Sequence, residues 1–229
     1  RIEILFVGSG DYEPALSLFR ERFAGLTRSP APAVRQAPLF PEATLERTEQ
    51  LEVAQGKLVL AFSSSPKDER ELSALRLMSA IYGGTPFSKL FLNVREKLSL
   101  CYYCSARYDR GNQIMMVSSG VEHEKKGEAY DEILRQLDAL REGNFTEEEM
   151  KETLLLTNTS FASVGDSLYA LGNWYLTQLL IGSQAGVLSP AEEQARMAAV
   201  TREEVIAAAR AVQLGAVYFL TGGEALGKD

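Results

Sequence analysis

Gly83-Gly84-Thr85-Pro86-Phe87-Ser88-Lys89-Leu90-Phe91-Leu92-Asn93-Val94-Arg95-Glu96-Lys97-Leu98-Ser99-Leu100-Cys101-Tyr102 is the stretch on which the reading of this chain turns. The glycine pair stops a helix that arrives at about Tyr82. Thr85-Pro86 then opens a second helix running to about Lys97, since proline fits the first helical turn. A strand follows from Leu100, with Tyr102 early in it. Arg95 and Tyr102 are seven positions apart across a turn, a spacing that can bring a guanidinium and a phenol to one rim of a sheet. An arginine fork and a tyrosine hydroxyl both suit the carbonyls, or a developing oxyanion, of a peptide. The residues leave a plainer reading open, with Arg95 in a surface pair with a nearby acid and Tyr102 in the core.

Outward from this stretch the chain reads as one α+β domain. Arg1–Val7 reads as a strand, followed by the turn Gly8-Ser9-Gly10-Asp11 and a helix near Pro14 to Ala24. Residues 28 to 41 carry Pro30, Pro32, Pro38 and Pro41 and read as an extended connector. Strands are expected near Glu46–Val53 and Lys57–Ser63, joined by a tight hairpin turn at Gln55-Gly56. Ser65-Pro66-Lys67-Asp68 has the form of a helix cap for the next helix. Beyond the central stretch, strands near Leu100–Asp109 and Gln113–Gly120 form a hairpin, and a helix covers Lys125–Glu142. Thr146 with Glu149, Ser189 with Glu192 and Thr201 with Glu204 are capping boxes, and Gly165–Gly182 is a further helix. Ala216–Thr221 is the last strand. This order predicts an antiparallel or mixed sheet with helices packed on one face.

Composition narrows the function. The 229 residues carry 24 Lys plus Arg against 31 Asp plus Glu, a net charge of -7. That argues against nucleic acid or an anionic membrane as partner, since both demand a concentrated positive field. No apolar run approaches about 18 residues, so no transmembrane helix is expected. Two cysteines cannot make a disulfide scaffold, and their scarcity fits a reducing, cytoplasmic setting. The single histidine, His123, excludes any multi-histidine metal site within this chain. The chain opens on arginine in an expected strand, so residues 1–229 are read as one domain excised from a longer protein.

Other motifs have ordinary structural explanations. Gly8-Ser9-Gly10 lacks the third glycine of a dinucleotide loop, where Glu13 stands, and Asp11 would repel a pyrophosphate. Cys101-Tyr102-Tyr103-Cys104 lies in an expected strand, where positions three apart face opposite sides of the sheet, so no redox pair is expected. His123 reads as a solvated loop residue, and Glu147-Glu148-Glu149 complements the positive end of a helix. On the Gly165–Gly182 helix the core stripe is Leu168, Leu171, Tyr175 and Leu179. Tyr169 and Trp174 fall off it, which leaves one of them free to touch a neighbouring domain, while core packing is the reading for most of the helix's aromatics.

The central stretch resembles the M16 metallopeptidase family (pitrilysin, insulinase and mitochondrial processing peptidase-like), specifically its C-terminal, non-zinc half. That half typically carries GG…S-[RK]-L-F…L-R-E-K-x-x-L-x-Y, matched here by Gly83-Gly84, Ser88-Lys89-Leu90-Phe91 and Arg95-Glu96-Lys97 through Tyr102. Val200-Thr201-Arg202-Glu203-Glu204-Val205 is similar to the family's VT-x-E-x-V helix start. The order of the remaining elements extends the resemblance over nearly the whole chain. Ser99 departs from it, standing where the family has Gly or Gln.

The resemblance implies a fold of the LuxS/MPP-like metallohydrolase class and a division of labour. Two similar halves clamp an extended peptide, and the zinc half carries H-x-x-E-H, which this chain lacks. Arg95 and Tyr102 map to the substrate-contacting Arg and Tyr of the other half. By that mapping the domain is a non-catalytic, substrate-clamping half of a zinc-dependent endopeptidase, or its inactive partner subunit. It holds no cofactor itself, and zinc sits in a homologous partner or upstream half. One alternative is a structural module of the same fold that has lost proteolysis. A more remote one is a small-molecule binder using the Gly8–Asp11 loop.

Overall fold

Leu58, Leu60 and Phe62 are wholly buried while Val59, Ala61 and Ser63 between them are only half-buried, the period of a strand with one face on a core. A computed structural model of the chain describes residues 3–27, 29, 40–181 and 186–222. Among these, β1 (Leu45–Leu51), β2 (Gly56–Ser63), β3 (Cys101–Asp109), β4 (Ile114–Val121) and β5 (Gln213–Gly222) form one sheet in the order β1-β5-β2-β4-β3. The β1–β5 pair is parallel and the other three are antiparallel, so the sheet is mixed. The inward side chains of β2 to β5 join one core with α2 (Glu69–Ser79), α3 (Lys126–Arg141) and α7 (Arg202–Ala211). The α+β architecture with helices over one sheet face is thus as the sequence implies.

Local signals translate faithfully. Thr146, Ser189 and Thr201 cap α4 (Glu147–Ala162), α6 (Pro190–Ala198) and α7, each with its glutamate closing the box. Asp11 caps α1 (Tyr12–Ala24) by accepting from the Glu13 N–H at 3.2 Å. The β3–β4 hairpin forms as expected.

Five expectations need correction. The second helix of the central stretch begins at about Leu90 and not at Thr85-Pro86, which lie in a turn. Residues 3–7 are not a strand; Leu5 and Val7 lie against Gly172 of α5 (Leu168–Ile181) instead. The β1–β2 hairpin does not close, because β5 lies between the two strands. Residues 52–55 therefore bridge two strand spacings, roughly 10 Å, rather than one. The polar run Glu46-Arg47-Thr48-Glu49-Gln50 suits the exposed edge, whereas Val217 and Phe219 are buried and hold β5 inside. The cap of α2 is Asp68, not Ser65; its carboxylate accepts from the Glu71 N–H while the Glu71 carboxylate accepts from the Lys67 N–H, both at 2.8 Å. Finally, Trp174 packs edge-on against Phe161 with centroids 5.6 Å apart and donates to the Leu188 carbonyl, while Leu168 is exposed. Tyr169 is 84% exposed and does face outward. The proline connector at 28–41 falls mostly outside the described residues, as do Arg1, Ile2 and the end of the Gly165–Gly182 helix.

After Ser79, α2 widens into π-helical turns over Ala80–Gly84. These turns rest directly on β3. A Cβ built on Gly83 would stand 2.7 Å from the Ala106 Cβ, closer still to the Ala106 amide nitrogen, and 2.8 Å from Leu90. No side chain fits there. At Gly84 the nearest atom would be the Ala80 Cβ at 3.4 Å, an ordinary contact. Gly83→Ala is therefore expected to cost about 2–3 kcal/mol in denaturant unfolding, the overpacking range, while Gly84→Ala costs under about 1 kcal/mol. Equal losses would contradict this packing.

Candidate functional site

The motif Ser88-Lys89-Leu90-Phe91 anchors the π-helical segment Leu90–Lys97 residue by residue. Ser88 and Leu90 are buried, Leu90 beneath Gly83. Lys89 Nζ reaches Glu149 of α4 at 2.8 Å, in a largely sheltered ion pair. Asn93 donates to the Lys89 carbonyl at 2.9 Å and to Gln136 of α3 at 3.0 Å, and Gln136 donates in turn to buried Glu132 at 2.6 Å. Phe91 carries the Arg95 guanidinium over its ring, 4.6 Å from the centroid. A cation over an aromatic face gains roughly 0.5–1 kcal/mol at such half-exposed sites and holds the fork in one place.

The segment ends in a wide turn, with Leu98 N–H donating to the Asn93 carbonyl and Leu100 N–H to the Val94 carbonyl. Ser99 has φ of +51°, the left-handed region that costs a non-glycine residue energy. Beyond it, β3 begins at the edge of the sheet.

Tyr102 is the extra residue of a β-bulge: Cys101 pairs with Val121, but Tyr103 already pairs with Gly120. The bulge turns Tyr102 outward, and it is 62% exposed. The core placement of Tyr102 in the plainer reading is therefore not observed. Its other half is partly met, since Arg95 Nε lies 3.6 Å from the Glu96 carboxylate on the surface. Arg95 also acts electrostatically on Cys101, the neighbour of Tyr102 in the chain.

The same bulge overturns the expectation that Cys101 and Cys104 face opposite ways. One extra residue converts their spacing of three into an effective two, so both side chains lie toward the core side of β3, where each thiol feels the other. The neighbouring Cys104 side chain pulls Cys101 down to about 7 against the cost of burial, helped by Ser119 and Arg95. The neighbouring Cys101 side chain and burial push Cys104 up. Sequence periodicity alone could not have found this pair, because a bulge leaves no fixed composition.

The remaining candidates have structural roles. The Asp11 carboxylate takes the N-terminus of α1, where an anion would otherwise bind. His123 is exposed, with Nδ1 2.9 Å from Thr221 Oγ1 at the end of β5. Arg76 is largely buried, ion-paired with Glu193, and drawn down to about 10 by burial and the nearby Arg110. The zinc chemistry of the family does not fit the residues of this chain. His123 is its one histidine, and no three His, Cys, Asp or Glu side chains gather into a metal-binding group among the described residues.

Residues 1–155 match the family model described as the peptidase M16 inactive domain. The chain belongs to the M16 peptidase family. It is 33% identical over 181 residues to the "Probable inactive metalloprotease YmfF" of Bacillus subtilis (strain 168), an alignment covering 78% of this chain and 42% of the relative. A conserved protein from Enterococcus faecalis V583 superposes with a TM-score of 0.80 at 30% identity, over 95% of this chain and 51% of that one. The peptidase M16 inactive domain from Pseudomonas fluorescens shares the fold, with a TM-score of 0.74 at 19% identity, over 97% and 54%. This M16 chain spans about half the length, or less, of these relatives.

Glu149 links the anchor to pH. Burial raises its carboxyl, but the Lys89 ammonium and the Thr146 N–H outweigh that and hold it below the ordinary 4.5. A depressed folded-state value stabilises the domain above 4.5 and is lost as pH falls through the depressed value. Acid unfolding of Glu149→Gln should therefore show a shallower loss of stability below pH 4.5 than the parent chain, read by denaturant midpoints. Identical slopes would remove Glu149 from the acid response.

Proposed function

We propose that this domain is the substrate-clamping, non-catalytic half of an M16-type zinc-dependent peptidase assembly, holding an extended peptide through Arg95 and Tyr102. The observation that carries the reading is the outward bulge of Tyr102 on the edge strand β3, which follows directly on the segment that holds Arg95 over Phe91. A free phenol and a preorganised guanidinium at a strand edge match the carbonyls and exposed ladder of an extended chain. The zinc, its water and the general base belong in this account to a homologous M16 half, in the same chain or a separate subunit.

A second reading has one observation in its favour: the Bacillus subtilis relative is itself described as a probable inactive metalloprotease. On that reading the domain keeps the fold as an interaction module without supporting cleavage. A small-molecule site at Gly8–Asp11 is disfavoured by the Asp11 cap.

The test compares peptide cleavage by the assembled full-length protein and its zinc-bearing half. Arg95→Ala should lower kcat/KM by roughly 10- to 100-fold, the loss of a charged hydrogen bond, and Tyr102→Phe by roughly 3- to 10-fold. Both variants should melt like the parent, since both side chains are partly exposed. Unchanged cleavage by both would leave the scaffold reading standing.

A further inference from the structure

We propose that Cys101 and Cys104 form a peroxide-reactive dithiol, in which Cys101 takes up the oxidant and Cys104 closes an intramolecular disulfide. The geometry rests on the bulge. Because Tyr102 is the unpaired residue, the two cysteines stand as same-face neighbours on β3. Same-face neighbours on a strand lie roughly 6.5 Å apart at Cα, within the reach of a disulfide. Burial makes the pair asymmetric: Cys101 is half-buried, whereas Cys104 is 4% exposed. Arg95 and Ser119 favour the thiolate at Cys101, and Cys104 keeps its proton. An accessible nucleophile with a resolving thiol beside it is the arrangement that peroxide sensing demands.

The chemistry balances with hydrogen peroxide as the two-electron oxidant. The Cys101 thiolate attacks one peroxide oxygen, the O–O bond breaks, and hydroxide leaves to be protonated to water. The resulting Cys101 sulfenic acid is attacked at sulfur by Cys104. The S–S bond forms, the S–OH bond breaks, and a second water carries off the Cys104 proton. Two thiols are oxidised and one peroxide is reduced to two waters. A reducing dithiol reverses the step. The dithiol stands independently of the peptide-binding reading, so failure of either leaves the other intact.

Both cysteines fall in one tryptic peptide, residues 98–107, which makes the test direct. The folded 229-residue chain is treated with hydrogen peroxide, unfolded, alkylated with N-ethylmaleimide, digested and weighed. The expected product is that peptide about 2 Da lighter and unalkylated, restored by dithiothreitol. Cys104→Ser should stop at the sulfenic acid, trapped on Cys101 by dimedone. Cys101→Ser should react at least about tenfold more slowly at Cys104. Full alkylation of both cysteines in the treated parent chain, or disulfides found only between chains, would overturn the proposal. Trapping on Cys104 rather than Cys101 would overturn the assigned order.

Discussion

The contact between Gly83 and the backbone of Ala106 is the constraint on which the rest of the site depends. Only a residue without Cβ lets the π-helical turns after α2 lie directly on β3. That approach leaves room for Leu90 beneath Gly83 and fixes where the segment Leu90–Lys97 begins. Once its start is fixed, its end is fixed too. Phe91 and Arg95 are one turn apart, so the guanidinium comes to rest on the ring close to the start of β3. A packing condition without polar chemistry thereby sets the place of a polar group.

Polar contacts then hold what packing has placed. Lys89 and Glu149 join the segment to α4, and the chain Asn93–Gln136–Glu132 joins it to α3. Buried Tyr82 donates to the Ile133 carbonyl at 2.7 Å and closes the same corner from below. Farther off, Arg141 donates to the Ala209 and Val212 carbonyls, tying α3 to the C-terminal end of α7 and the start of β5. Partly sheltered groups of this kind are costly to leave unpaired, so such a network favours one arrangement over near alternatives. The exposed tyrosines of the bulge sit at the border of this frame and take no part in it.

What the sequence disclosed follows from range. Caps at Thr146, Ser189 and Thr201 act within three residues and were legible, as was the glycine stop before Thr85. The resemblance carried by residues 83–102 led to the right family and the right half of its fold. Properties set by distant partners were hidden. The place of β5 between β1 and β2 depends on a strand over 150 residues away in the chain. The apolar α5 has no narrow stripe, so periodicity put Trp174 on the wrong side. Nor does any residue type announce the bulge at Tyr102, which both exposes that side chain and unites Cys101 with Cys104. The candidate residues could thus be picked out from the motif, but their setting could not.

The most direct test of the central claim, that the Arg95–Tyr102 rim faces a bound peptide, is photo-cross-linking from position 102. The full-length protein would carry a benzophenone amino acid in place of Tyr102 and be assembled with its zinc-bearing half. It would then be illuminated with an unstructured labelled peptide. The account predicts a covalent adduct between residue 102 and the peptide, reduced by excess unlabelled peptide and by Arg95→Ala. Adducts only to the partner half or to this chain itself, with the peptide unlabelled, would contradict it.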